Sequence, residues 1–258
     1  MQNWLRNPFT VPVWDCKPVG TLYITGEQGL GDEVLLCQTV LDAKKYAGRV
    51  IYETFDRLMP VMERTLGVEC VPSIITKDGR RKAQKFEADA WVGLGELPRA
   101  FRRQRSDFPR KPYITTLADP RVEKYRGRVG LMWRGAQGTV DWKALKALHP
   151  DAISLQYDHY DEEIEQTDID IKNDIEGVFS LLAVLDRVVG VSNTTAHFAA
   201  ASGVRTDLIL ADPGTGIRSY LMPWRWLDLS CQSIPKKPLW YGDNVNVWQS
   251  FAEYKAYL

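Results

Sequence analysis

Two loops in this 258-residue chain place chemically capable side chains where helices begin. The first is Thr25-Gly26-Glu27-Gln28-Gly29-Leu30-Gly31-Asp32, between an apolar run (Leu22 to Ile24) and an apolar helical pattern (Val34, Leu35, Leu36, Val40, Leu41). Its glycines let another molecule approach the main chain closely, because glycine lacks a Cβ and tolerates positive φ. The loop delivers one carboxylate, Asp32, to a helix start. There it either caps the helix or accepts a proton as a general base, with Glu27 and Glu33 as neighbouring candidates. The second loop is Val191-Ser192-Asn193-Thr194-Thr195-Ala196-His197. A helix starting at Asn193 or Thr194 offers free N–H groups and the positive end of its dipole, a seat for phosphate. Thr194 and Thr195 add hydroxyls. His197, one turn inside, either reaches the same anion or packs against the preceding strand.

A third loop, Arg134-Gly135-Ala136-Gln137-Gly138-Thr139, follows the apolar run ending at Trp133. Arg134 carries a planar fork suited to phosphate oxygens, and Lys143 is the alternative cation. The arrangement Gly26-x-x-Gly29-x-Gly31 is not the dinucleotide G-x-G-x-x-G, and no Walker lysine follows it, which excludes both of those nucleotide readings.

These loops need strands to end at them. Strands are expected over Thr21–Thr25, Arg49–Thr54, Glu69–Val71 and Ala90–Leu94, with helices from Asp32 to about Tyr46 and from Arg57 to Leu66. Gly48 and Gly67 are read as the stops of those helices. A second α/β unit begins near Arg128, with strands at Val129–Trp133, Ala152–Gln156, Arg187–Val191 and Asp207–Ala211. Helices are expected over Trp142–Leu148, after the cap Asp174, and over Thr194–Ser202 with Gly203 as stop. Strand–helix–strand order with short connections implies parallel sheets. The expected division is 1–122 and 123–258, two ligand-binding halves, with the last helix packing back on the first. Asp212-Pro213-Gly214-Thr215-Gly216 reads as a further strand-end loop, and 77–85 as a charged loop.

Lys+Arg and Asp+Glu are equal at 33 each, so no global charge selects nucleic acid or membrane. The basic run from Arg99 to Lys111 is either a solvated face or a grip for an anionic acceptor. The acids between Asp158 and Glu176 lack the central glycine and terminal glutamate of an EF-hand, which favours a solvated surface over calcium. Cys16, Cys37, Cys70 and Cys231 form no C-x-x-C pair, which points to a reducing compartment and no structural zinc. No apolar leader or membrane span is legible, so a cytoplasmic protein is expected.

In order along the chain, six segments resemble the heptosyltransferase-like family 9 glycosyltransferases, including the modules found in bacterial tetratricopeptide-repeat proteins. They are Gly26-Glu27-Gln28-Gly29-Leu30-Gly31-Asp32, Gly130-Leu131-Met132-Trp133-Arg134-Gly135, Ser154-Leu155-Gln156-Tyr157, Asn173-Asp174, Ser192 to Ala199, and Trp240-Tyr241. The resemblance implies a GT-B fold: two Rossmann-like domains whose parallel sheets face a central cleft. It implies an inverting, metal-independent transfer of a sugar from a nucleotide-sugar donor, with no other cofactor and Asp32 as base. Gln28, Gly29, Leu30 and Gly31 then form the acceptor-side loop. Arg134, Gly135, Lys143, Gln156, Tyr157, Asn193, Thr194, Thr195 and His197 map onto the donor side. The acceptor is a glycan, a protein side chain or a modified DNA base. A non-catalytic nucleotide-sugar or glycan-binding relative is the alternative. Ser192 departs from the aspartate common in the family.

Overall fold

The computed structural model describes residues 10–27, 29–74, 86–108, 110–135, 138–157, 163–210, 243–248 and 250–258. Gln28, Ala136, Gln137, Asp158, Asp161, Cys231, Trp240, Tyr241, the 77–85 loop and the 212–216 loop lie outside the described residues. The chain divides into two compact units, Met1–Phe101 and Arg102–Leu258, so 102–122 groups with the second.

The first unit is a parallel sheet with helices. Strand β1 (Val19–Thr25) is followed by helices α1 (Leu30–Leu36) and α2 (Gln38–Ala43), then β2 (Ala47–Thr54), α3 (Met59–Leu66), β3 (Glu69–Pro72), β4 (Ala90–Gly93) and α4 (Leu97–Phe101). The sheet order is β3-β2-β1-β4. Leu22, Tyr23 and Ile24 are all buried, as a parallel strand covered on both faces requires. The connection from β1 goes to β2 on one side, and β4 then pairs on the other. That reversal is a topological switch point, and the glycine loop lies at its C-terminal end.

Two expectations are corrected here. The helix expected to run from Asp32 to about Tyr46 is broken at Cys37 and ends in a 3₁₀ turn, Lys44–Tyr46. At the break, Cys37 Sγ, Gln38 Nε2 and Thr39 Oγ1 bond back to the carbonyls of Val34, Leu35 and Leu36, at 3.2, 3.2 and 2.7 Å. Gly48 does not stop a helix. It lies inside β2, where a Cβ would come within 3.0 Å of the Gly20 carbonyl on the neighbouring strand. Gly67 does stop its helix, in the left-handed conformation at φ 58°.

The second unit opens with an irregular stretch and a 3₁₀ helix, Pro120–Tyr125. It continues with β5 (Val129–Met132), a small antiparallel pair β6 (Arg134–Gly135) and β7 (Gly138–Thr139), α5 (Trp142–Leu148) and β8 (Ile153–Ser154). Then come α6 (Ile175–Val184), β9 (Arg187–Gly190), α7 (Thr194–Ser202), β10 (Arg205–Ile209), β11 (Val245–Trp248) and α8 (Phe251–Tyr257). The five-stranded sheet has the order β11-β10-β9-β5-β8, all parallel. Strand β11 was not among the expected strands. Its Asn246 and Trp248 side chains each donate to buried Asp207 Oδ1 at 3.0 Å, which fixes it on β10. Tyr254 of α8 is fully buried in the core of this unit, with Leu131, Trp133 and Ile209. Asp174 caps α6 through the Gly177 N–H, and Gly203 ends α7 at φ 89°, both as the sequence indicates.

Again β5 is the reversal point, flanked by β8 on one side and β9 on the other. The segments that leave the C-terminal ends of these three strands are Trp133–Gly135, Leu155–Tyr157 and Val191–Asn193. They hold most of the donor-side candidates.

Candidate functional site

Asp32 occupies the first turn of α1, with Gly29 as the residue before the helix. The carboxylate folds back over Gly29, whose Cβ, if present, would lie 2.8 Å from Asp32 Oδ2. With glycine there, the carboxylate can take that position without a side chain in its way. Among the described residues Asp32 accepts no hydrogen bond and forms no ion pair. Burial pushes its carboxyl above the ordinary aspartate value, since desolvation disfavours the charged form. Its carboxylate is therefore more basic than that of an aspartate in water. Leu30 is half-buried and Gly31 buried in the same turn. Opposite them, a Cβ on Gly95 would lie 2.3 Å from Glu27 Oε1, so the β1 and β4 loops close on each other.

Glu33, a neighbouring candidate for the base, faces the other way. It is fully buried, accepts from Thr54 Oγ1, and lies 3.4 Å from the Phe55 N–H and 3.5 Å from the Tyr52 hydroxyl. Its work is to anchor α1 to the end of β2. The periodicity carried the signal, because Glu33 shares its helical stripe with Leu36, Cys37 and Val40.

In the second unit the strand-end loops are locked together. A Cβ on Gly135 would fall 2.1 Å from the Ser192 carbonyl, so β6 runs directly against the turn that starts α7. Gly190, at φ 149°, lets β9 approach Met132 equally closely. The Asn193 side chain caps α7 by accepting from the Ala196 N–H at 3.1 Å, and its amide donates to the Arg134 carbonyl at 3.3 Å. The N–H groups of Thr194 and Thr195 meet no acceptor among the described residues, as expected for the first turn of a helix. Thr195 is buried and Thr194 half-buried.

The two cations differ. Arg134 is exposed and forms no ion pair among the described residues, whereas Lys143 lies 3.4 Å from Glu163 and over the Trp142 ring. His197 is half-buried, and desolvation holds its ring down to about 4. At neutral pH it is an uncharged imidazole, so it offers a hydrogen bond but no positive charge. Tyr157 is half-buried where the loop after β8 leaves the sheet. Gln156 is almost fully buried and bonds to the main chain of Trp133 and Arg134.

The remaining charge clusters are largely self-neutralised. Glu165 pairs with Arg128, Asp168 with Lys124, and Asp174 with Arg121. In the basic run, Arg99 pairs with Glu96, Arg110 with Asp243, and Arg102 is buried. No helix among the described residues is long and apolar enough to cross a membrane.

No family model matches the chain. Protein FlbA of Caulobacter vibrioides is 27% identical over 247 residues, a match covering 79% of this chain and 41% of FlbA. The chain thus spans about two-fifths of the length of that curated relative. Among solved structures, the glycosyl transferase family 9 protein of Veillonella parvula superimposes with a TM-score of 0.54 at 10% identity, covering 95% of this chain and 91% of that one. TibC of enterotoxigenic Escherichia coli, an iron-containing dodecameric glycosyltransferase, superimposes at 0.52 with 14% identity, over 78% of this chain and 60% of TibC. A TibC complex with ADP-D-β-D-heptose gives 0.50 at 15% identity over the same shares. The chain has the fold of these glycosyltransferases, the mixed α/β GT-B class with parallel sheets that the sequence motifs imply.

Proposed function

We propose that the chain is a glycosyltransferase that moves a sugar from a nucleotide-sugar donor to an acceptor hydroxyl with inversion. The observation that carries this reading is the strand-end cluster of the second unit. There Arg134, exposed and without an ion pair among the described residues, extends from a loop packed against the N-terminus of α7, at the switch point of a parallel sheet. That is the chemistry a pyrophosphate needs, and a protein of the same fold has been solved with ADP-D-β-D-heptose.

In this reading the donor diphosphate lies on the Thr194 and Thr195 N–H groups and on Arg134. Neutral His197 and Tyr157 complete the donor side, and Lys143, engaged by Glu163, serves less well than Arg134. The acceptor oxygen attacks the anomeric carbon from the face opposite the diphosphate. As the new C–O bond forms, the bond to the leaving phosphate oxygen breaks, and Asp32 takes the hydroxyl proton. The raised basicity of Asp32 favours that transfer. Charge gathering on the leaving diphosphate is met by fixed N–H donors and a guanidinium already in place. We assign no metal to this step, and a cytoplasmic setting suits a nucleotide-sugar supply.

The test is calorimetric titration with ADP-D-β-D-heptose and with UDP-, GDP- and CMP-sugars, each with and without EDTA. One donor binds saturably in EDTA, and Arg134→Ala weakens it while Asp32→Ala leaves it nearly intact and abolishes transfer. Binding that requires a divalent cation defeats the metal-free assignment. No binding of any donor defeats the transferase reading and leaves a glycan-binding relative of the fold.

A further inference from the structure

The Gln156 side chain reaches across from the loop after β8 to the loop after β5. Its Oε1 accepts from the Trp133 N–H at 3.2 Å and the Arg134 N–H at 3.0 Å, and its Nε2 donates to the Arg134 carbonyl at 3.1 Å. That carbonyl also receives the Asn193 amide. The residue is 2% exposed, so these bonds form in a dry environment where an unmade partner is costly. Its own main-chain N–H donates to Ser154 Oγ at 3.2 Å, which holds the backbone from which the carboxamide extends.

Trp133 and Arg134 are the residues where the chain leaves β5 and enters β6, which pairs with β7. Without Gln156 the Arg134 peptide would keep only the Asn193 contact among the described side chains. A carboxamide can both accept from the Trp133 and Arg134 N–H groups and donate to the Arg134 carbonyl.

We propose that Gln156 is a positioning residue for the donor diphosphate: it acts by clamping the Arg134 main chain, and so the origin of the guanidinium, beside the α7 N-terminus. This rests on the donor reading above. It differs from that reading in giving Gln156 a role that needs no contact with the donor.

The experiment titrates the full chain with ADP, UDP and GDP as probes, in the unaltered protein and in Gln156→Leu, Gln156→Glu, Arg134→Ala and the Gln156→Leu/Arg134→Ala double variant. Circular dichroism and thermal melting verify the fold of each. Gln156→Leu weakens the nucleoside diphosphate that binds by about tenfold. In the Arg134→Ala background the same change has little further effect, because the group it positions is gone. Gln156→Glu gives a readout that a role in stability alone would not move. Its carboxylate repels the Arg134 carbonyl at pH 8, whereas the protonated acid restores a donor, so its affinity recovers toward that of the unaltered protein as pH falls to 5.5. If Gln156→Leu does not fold, the carboxyl variant and its pH profile carry the test. Unchanged affinity in folded Gln156 variants, or full additivity with Arg134→Ala, overturns the proposal. Failure of the unaltered protein to bind any probe overturns the donor reading itself, and the proposal with it.

Discussion

Thr54 Oγ1 at the end of β2 donates a hydrogen bond to the Glu33 carboxylate on α1, inside the first unit. The residue before Glu33 is Asp32, so the proposed base is held by a bond made one position away on the same turn of the helix. Glu33→Ala leaves the Thr54 hydroxyl and the Phe55 N–H without this acceptor, at a cost of about 1–3 kcal/mol. Urea unfolding of Glu33→Ala and Glu33→Gln measures it. The amide retains an acceptor and loses less. Transfer slows in Glu33→Ala because α1 carries the base, while diphosphate affinity, set on the second unit, stays as it was. Equal losses in both readouts would place Glu33 in general stability alone.

Asp32 is the opposite case, a carboxylate that accepts no hydrogen bond among the described residues. Its raised basicity means that the folded state holds the proton more tightly than the unfolded state does. The charged form therefore costs stability, fully so above the raised value and not at all below the ordinary value near 3.8. Asp32→Asn removes that cost at neutral pH. The variant melts higher than the unaltered protein at pH 7, the gain shrinks as pH falls toward 3.8, and transfer is lost throughout. A lower melting temperature at pH 7 would show that Asp32 is there to hold the helix.

The strands were legible because a buried parallel strand reads as an unbroken apolar run. Leu22 to Ile24, Leu131 to Trp133 and Val188 to Val191 each do so. Helix α7 was bounded by a local signal at each end, the Asn193 cap and Gly203. What escaped was nonlocal. The break at Cys37 depends on three successive side chains bonding back to carbonyls, and Gly48 serves the packing of β1 on β2. Strand β11 is held by Asp207, some 40 residues earlier in the chain. In the site, motif position marked Gln156 as donor-side. Its bonds to residues 22 and 23 positions away could not be read from any local pattern.

His197 gives the acid side of the stability profile a defined shape. Its ring is held down to about 4 by burial, against an ordinary value of 6.5, so the unfolded chain binds a proton that the folded chain refuses. Stability from this group is complete above 6.5 and is lost as pH falls toward 4. By pH 5 the loss reaches about 2 kcal/mol. Half-buried His149, which shares a 2.7 Å hydrogen bond with Tyr254, is depressed in the same direction and adds to it. The ion-paired Glu165 and Asp168 and the hydrogen-bonded Asp170 are all held below their ordinary values, so they stay ionised over this window and contribute no competing slope. Urea unfolding from pH 7.5 to 5 therefore shows falling stability with proton uptake on unfolding. His197→Gln reduces that slope, and a slope unchanged by the substitution would mean that the imidazole is not desolvated in the folded protein.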